Sequence, residues 1–198
     1  NPFAPIPLAG EWKFKAEKIL EGAPTQEAGH SDPGDEGTPR GWHEIQHEDD
    51  DWQTVRMPQQ LEVLDDALQG KDGAFWFRKE VSVPAEWAGK AARIRFGKLD
   101  DFDTVYVNGI RVGGTNQPAD SAWSVPREYT IPNWVLKPGA NVIAVRVFDR
   151  YAGGGMTETN PQKLALELID PPELSGAYVH GFRRDRALGD DPFRYYRW

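Results

Sequence analysis

The chain has 198 residues, enough for one domain with a sizeable core but not for two full ones, and it contains no cysteine. The missing thiols exclude disulfides, thiolate catalysis and Cys-ligated zinc, and leave the compartment open. A formal net charge of −8 argues against a nucleic-acid or anionic-membrane partner, since either needs a basic face, and no apolar run approaches the ~20 residues of a membrane span.

The chain opens at Asn1 without the basic and apolar regions of a signal peptide, which reads as a processed or excised piece. Trp12 falls in the first strand-like run and is expected in the core. From Glu21 to Gly41, "EGAPTQEAGHSDPGDEGTPRG" is rich in Gly, Pro and acids, lacks apolar periodicity and reads as a mobile loop. Residues 43–47, "HEIQH", match H-E-x-x-H, in which two His one helical turn apart hold zinc while the Glu polarises the metal-bound water. Gly41 before the pattern and Asp49, Asp50 and Asp51 after it favour turns over a helix interior. No third His follows at the required spacing, which leaves Glu62 as a distant carboxylate ligand. The expectation is therefore a pair of exposed loop or edge-strand histidines, His43 and His47, with a zinc hydrolase as the remote alternative.

Strand periodicity dominates the middle of the chain. Trp76 and Phe77 lie in one such run and are expected in the core. "ARIRF" (92–96) and "TVYV" (104–107) alternate, and "NVIAVRVF" (141–148) suits a strand buried on both faces. Asn108-Gly109 tolerates the positive φ of a type I′ turn and should join two antiparallel strands. In that register Val107 faces Ile110 and Val105 faces Val112 on a dry side, leaving Tyr106 and Arg111 on a wet one. Pro and Gly in "VPAEWAGK" (83–90), "IPNWVLKPGAN" (131–141) and "DPPELSG" (170–176) punctuate the strands. "AGGGM" (152–156) lacks the Lys and Ser/Thr of a phosphate loop and reads as a flexible turn. The five serines include none in a nucleophile-elbow context. After about Asp170 the pattern weakens into a C-terminal extension over 171–198, a last strand plus tail.

In fixed order, "LAGEWKF", "DDDWQTVRMP", "GAFWFRKEVSVP", "RIRFGKLDDFDTVYVNGIRVG", "WSVPREYTIP" and "LKPGANVIAVRVFD" resemble the sugar-binding, galactose-binding-like jelly-roll domain of family 2 glycoside hydrolases. They also look like its version in sialate O-acetylesterase-like proteins, where a "DDFD…Y.NG" strand pair and a "W…R.Y.IP" segment recur. The resemblance covers roughly residues 8–170 and implies an all-β fold, an antiparallel β-sandwich spanning 1–170, of about eight strands. It implies carbohydrate recognition, or the shaping of a neighbouring catalytic domain, in a secreted or periplasmic protein. It brings no catalytic residue, because the carboxylates of those hydrolases and the serine of those esterases lie in other domains.

A sugar site needs a flat ring against the C–H face of the sugar and a few fixed polar groups for its hydroxyls. "TNQPADSAWSVPREY" (115–129) offers Trp123 as the platform, Arg127 as a forked donor, and Asn116 or Asp120 as adjustable partners. Arg150 and Tyr151 can approach the same rim. The other reading has Trp123 packed under its own loop and Arg127 paired with an acid at the edge of the core. Within "DDFD" (100–103), Asp101 or Asp103 could accept from sugar hydroxyls or hold a structural Ca²⁺, the one cofactor considered, or the acids could cap a turn. The leading expectation is a non-catalytic carbohydrate-binding module. The alternative is an accessory domain that docks its loops and "DPFRYYRW" (191–198) on a catalytic domain and binds no sugar.

Overall fold

The computed structural model describes residues 1–22, 29–116 and 121–169. Among them ten strands occur: β1 (Ile6–Pro7), β2 (Gly10–Ile19), β3 (Gln53–Met57), β4 (Gly73–Val83), β5 (Ala92–Lys98), β6 (Phe102–Val107), β7 (Ile110–Thr115), β8 (Pro126–Ile131), β9 (Gly139–Asp149) and β10 (Ala165–Leu168). They pair antiparallel into two sheets, ordered β1-β10-β5-β8 and β3-β2-β4-β9-β6-β7. The architecture is the expected β-sandwich of jelly-roll type. A single helical turn, α1 (Leu61–Leu64), and short 3₁₀ turns fill connections, and no helix among the described residues is long and apolar enough to cross a membrane.

The period of two explains the main core. Trp12 and Phe14 of β2, Phe75 and Phe77 of β4, Val105 and Val107 of β6 and Val145 and Val147 of β9 point between the sheets. There they meet Ile94 and Phe96 of β5 and Leu166 of β10. Phe14 stacks on Phe75 with centroids 5.9 Å apart, and Trp12 reaches Phe96 of the opposite sheet at 6.2 Å. Burying each such side chain contributes roughly 1.5–3 kcal/mol.

The intervening residues form a second, smaller core on the outer face of the six-stranded sheet. Trp76 of β4, Ala144 of β9 and Tyr106 of β6 are buried there beneath Trp42 and Trp52. Trp42 meets Trp52 and Trp76 edge-on at 5.3 and 6.0 Å, and Trp76 stacks on Tyr106 at 5.9 Å. The cover is drawn from residues 29–52, so the described part, from 29 onward, of the 21–41 segment expected as a mobile loop packs on this sheet; residues 23–28 lie outside the described residues. Arg146 of β9 holds Asp32 with two bonds of 2.8 Å and Glu17 with one of 2.7 Å. Glu17 in turn accepts from the backbone N–H groups of Glu36 and Gly37 and from the Trp76 indole. A bulge in β2 makes this reach available: Ala16 pairs with Phe75 and Lys18 with Ala74, so Glu17 is the extra residue. Farther along, Arg78 of β4 bonds the Asp49 carboxylate and the carbonyls of Trp42, Glu44 and His47.

The cover also changes the expected hairpin. Asn108 (φ 51°) and Gly109 (φ 80°) make the predicted two-residue turn between β6 and β7, with Val107 opposite Ile110. The register then shifts between Val105 and Tyr106, so that Val105 faces Gly113 rather than Val112. The sides are not dry and wet as the alternation suggests. Tyr106 is 8% exposed under the cover, whereas Ile110, at the tip, is 40% exposed.

Candidate functional site

The loops at one end of the sandwich build the site. There β4 and β6 begin and β9 ends, so Asp100 and Asp101, the segment before β8 and residues 150–155 are brought together. The "AGGGM" turn is a clasp. Gly155 exchanges backbone hydrogen bonds with Asp100 at 3.0 and 3.1 Å, and the Gly154 carbonyl accepts from Leu61 at the start of α1. A side chain at Gly154 would strike the Asp149 carboxyl group, so this glycine permits a close approach.

A cavity of about 310 Å³ opens above the clasp, lined by Asp100, Asp101, Trp123, Arg150, Tyr151, Ala152 and Gly153. Trp123 stands on a 3₁₀ turn (Ala122–Ser124) and is 52% exposed; Tyr151 is 36% exposed. Large rings left this open are unusual beside concave, polar walls and suit a flat ligand. Arg150 lies with its guanidinium 5.9 Å from the Phe102 ring, and its backbone N–H donates to Asp101 Oδ2 at 3.1 Å. A larger cleft of about 730 Å³ between Met57–Gln60 and Met156–Thr159 has no aromatic ring in its walls and offers no platform.

Of the residues singled out from the sequence, Asp101, Trp123, Arg150 and Tyr151 thus meet around one cavity. Arg127 does not reach it. This arginine, 1% exposed, extends inward from β8 and spends every guanidinium donor within the protein. Nε donates to Asp103 Oδ1 at 2.6 Å, Nη1 to the carbonyls of Ala122 and Val125, and Nη2 to those of Leu99 and Asp101. Asp103 is equally enclosed and also accepts from the Tyr129 hydroxyl at 2.6 Å. Strand parity accounts for both. Asp103 shares the inward face of β6 with Val105 and Val107, and Arg127 and Tyr129 share one face of β8, so the Arg127–Asp103 pair bridges the two sheets. Neither is available to a ligand. Asn116 is exposed just beyond β7 and does not line the cavity, and Asp120 lies outside the described residues, as does "DPFRYYRW".

Sequence reasoning missed the acids under the cavity floor. Asp100 precedes β6 and keeps its side chain at the wall, where burial, and then the Asp101 carboxyl beside it, push it up to about 8. Asp149, the last residue of β9, is fully buried; burial, and then Asp72, push it up to about 8 as well. Its Oδ2 and both carboxyl oxygens of Glu62 are buried without a hydrogen-bond partner. The available signal was strand phase: Asp103 falls within the alternation of β6, whereas Asp100 falls before it. The Ca²⁺ reading of "DDFD" does not fit. Asp103 is committed to Arg127 and Tyr129, and among the described residues no three His, Asp or Glu side chains converge as metal ligands.

"HEIQH" folds as successive turns, with Glu44 N–H donating to Gly41 O and His47 N–H to Glu44 O. The helical face that a zinc site needs is not formed. Nor are the histidines exposed as expected: His43 packs on Tyr106 at 4.7 Å and His47 on Trp52 at 5.7 Å, both within the cover. Burial, and then Arg78, hold the His47 imidazole below its usual range.

The sequence model described as "Glycosyl hydrolases family 2, sugar binding domain" matches residues 7–179. The chain belongs to this family. The match identifies the sugar-binding domain, not the catalytic one. A β-glucuronidase of Formosa agariphila is 26% identical over 120 residues, which cover 55% of this chain and 12% of that protein. Among solved structures, a β-glucuronidase from Ruminococcus gnavus in complex with uronic deoxynojirimycin is similar at 24% identity and TM-score 0.54, covering 74% of this chain and 22% of that one. Another R. gnavus β-glucuronidase structure gives 25% identity and TM-score 0.55, over 73% and 21% of the respective chains. These structures share the fold. The family domain therefore spans about an eighth of the curated relative and a fifth of the solved ones.

Proposed function

We propose that this domain is a non-catalytic carbohydrate-binding module whose site is the cavity walled by Trp123 and Tyr151. The observation that carries the reading is the half-exposed Trp123 ring beside Arg150, Asp100 and Asp101 in one concavity. The ring would cover the C–H face of a sugar, and the polar groups would bond its hydroxyls. Membership in a family named for sugar binding supports the same conclusion. The relatives' names, all β-glucuronidases, support placing the domain within a larger glycoside hydrolase. A glycan-array screen followed by calorimetry tests the module reading, with Trp123→Ala as the control. The expected outcome is binding by the wild type and at least about tenfold weaker binding by the variant, or about 1.4 kcal/mol. Equal affinities would remove Trp123 from the site, and no binding at all would sink the reading.

A second reading, an accessory domain docked on a catalytic domain, draws on the opposite end of the sandwich. Asn108 donates from its side-chain amide to Val135 O at 2.8 Å, which brings the hairpin tip beside residues 134–136. Ile110 and Trp134, 40% and 52% exposed, are at that end. Charged replacements of both, Ile110→Lys and Trp134→Lys, should leave sugar binding unchanged and weaken association with the catalytic domain if that end is the docking face.

A further inference from the structure

We propose that the Trp123–Tyr151 cavity accepts uncharged sugars and rejects uronic acids, because, among the described residues, carboxyl groups form its floor and outnumber the one cation at its rim. This inference rests on the sugar-binding reading and names the ligand class within it.

The cavity wall carries Asp100 and Asp101 against Arg150. Three more acids stand behind it. Glu62 of α1 lies beneath the clasp, where a side chain at Gly153 would come within 3.6 Å of its Oε1. Asp149 packs under Gly154, and Asp72, just before β4, faces His30 at 3.5 Å. Arg127 also borders the loop, but its charge is matched by Asp103 and its donors are all in use. Among the described residues, Arg150 is thus set against Glu62, Asp72, Asp100, Asp101 and Asp149, with His30 and Tyr151 the other titratable neighbours. Its own guanidinium is drawn over the Phe102 ring.

A neutral pyranose suits such a site. Its hydroxyls donate to carboxyl oxygens, and its C–H face needs only the indole of Trp123. A uronate adds a negative charge to a concave, partly dehydrated site where like charges are poorly screened. Burial and crowding already keep protons on part of this cluster at neutral pH: Asp100 and Asp149 are both pushed up to about 8. Those protons leave as the pH passes through that value, so the site becomes more hostile to anions from pH 6.5 to 9. A uronate stays ionised throughout that range.

The test is calorimetric titration of the intact chain with matched pairs, methyl β-D-glucoside against methyl β-D-glucuronide and methyl galactoside against methyl galacturonide. The neutral member of each pair should bind at least about tenfold more tightly at pH 7, and the ratio should grow at pH 9 and shrink at high salt. Asp100→Asn should narrow the ratio while far-UV circular dichroism verifies its fold. An unchanged ratio in that folded variant would overturn the assignment to this carboxyl. Uronides that bind as well as their neutral partners would overturn the inference and leave the sugar-binding reading standing. If no glycoside binds, both fall together.

Discussion

Arg127 joins the sheets through one side chain: it extends from β8 in one sheet to Asp103 of β6 in the other, and four backbone carbonyls occupy its remaining donors. Such a group is valuable chiefly because its partner cannot be left alone. Arg127→Met would strand a fully enclosed carboxyl, so a loss of about 3–5 kcal/mol is expected in urea unfolding; a loss below 1 kcal/mol would show that Asp103 finds another partner. Trp123→Ala should change stability by only about 0.5 kcal/mol or less, since half of the ring is already in water. Asp149 makes the opposite kind of contribution. Its carboxyl is raised from 3.8 to about 8 in the fold, so the folded state holds a proton that the unfolded state releases. Stability is then greatest below pH 4 as far as this group is concerned, and falls as the pH rises from about 4 to about 8. The slope is at most about 1.4 kcal/mol per pH unit. Asp149→Asn keeps an acceptor for the Tyr151 N–H and removes the titration. Unfolding midpoints measured from pH 5 to 9 should therefore fall less steeply in the variant, and parallel curves would refute the assignment.

At the scale of elements, residues 29–52 show what composition leaves out. A stretch rich in Gly, Pro and acids has too little apolar area to fold by itself, and its sequence says only that. The sheet beneath it supplies the missing order, because the outward positions of β4 and β9 carry Arg78 and Arg146 and the bulge of β2 presents Glu17. The acids of the stretch are the complement of those arginines, a match invisible until the register is known. By contrast, β5, β6 and β9 and the Asn108-Gly109 turn were readable, since period and turn chemistry are local. The slip after Tyr106 was not, because a bulge follows from strand pairing rather than from the hairpin's own residues. Gly37 tests how closely the cover fits. A Cβ there would lie 2.5 Å from the Trp76 ring and 2.6 Å from Trp42. Gly37→Ala should cost about 1–3 kcal/mol and perturb the tryptophan fluorescence. A neutral substitution would mean that the cover can shift outward without loss.

At the scale of the molecule, the two cores lie back to back on the same strands. Phe77 and Trp76 are consecutive in β4, as are Val145 and Ala144 in β9, yet one of each pair belongs to the core between the sheets and the other to the aromatic cluster outside. The same geometry explains how much of the site could be read in advance. Trp123, Arg150 and Tyr151 stand in loops, where residue type points to exposure and binding. Arg127 and Asp103 stand in strands, where only their phase relative to the core reveals that they face inward. It also couples the cover to the sandwich. Releasing residues 29–52 would bare Trp76 and Tyr106, leave Arg78 without its partners and leave Arg146 with Glu17 alone, while melting β4 or β9 removes the surface to which the cover is fixed. Loss of one core should therefore entail loss of the other. Thermal unfolding followed by near-UV circular dichroism, weighted toward the Trp42–Trp52–Trp76 cluster, should coincide with the far-UV signal of the strands, and the calorimetric and van't Hoff enthalpies should agree. An earlier near-UV transition would show that the cover detaches while the sandwich persists, which would mean that Arg78 and Arg146 tolerate exposure and that their ion pairs contribute little to holding the outer core in place.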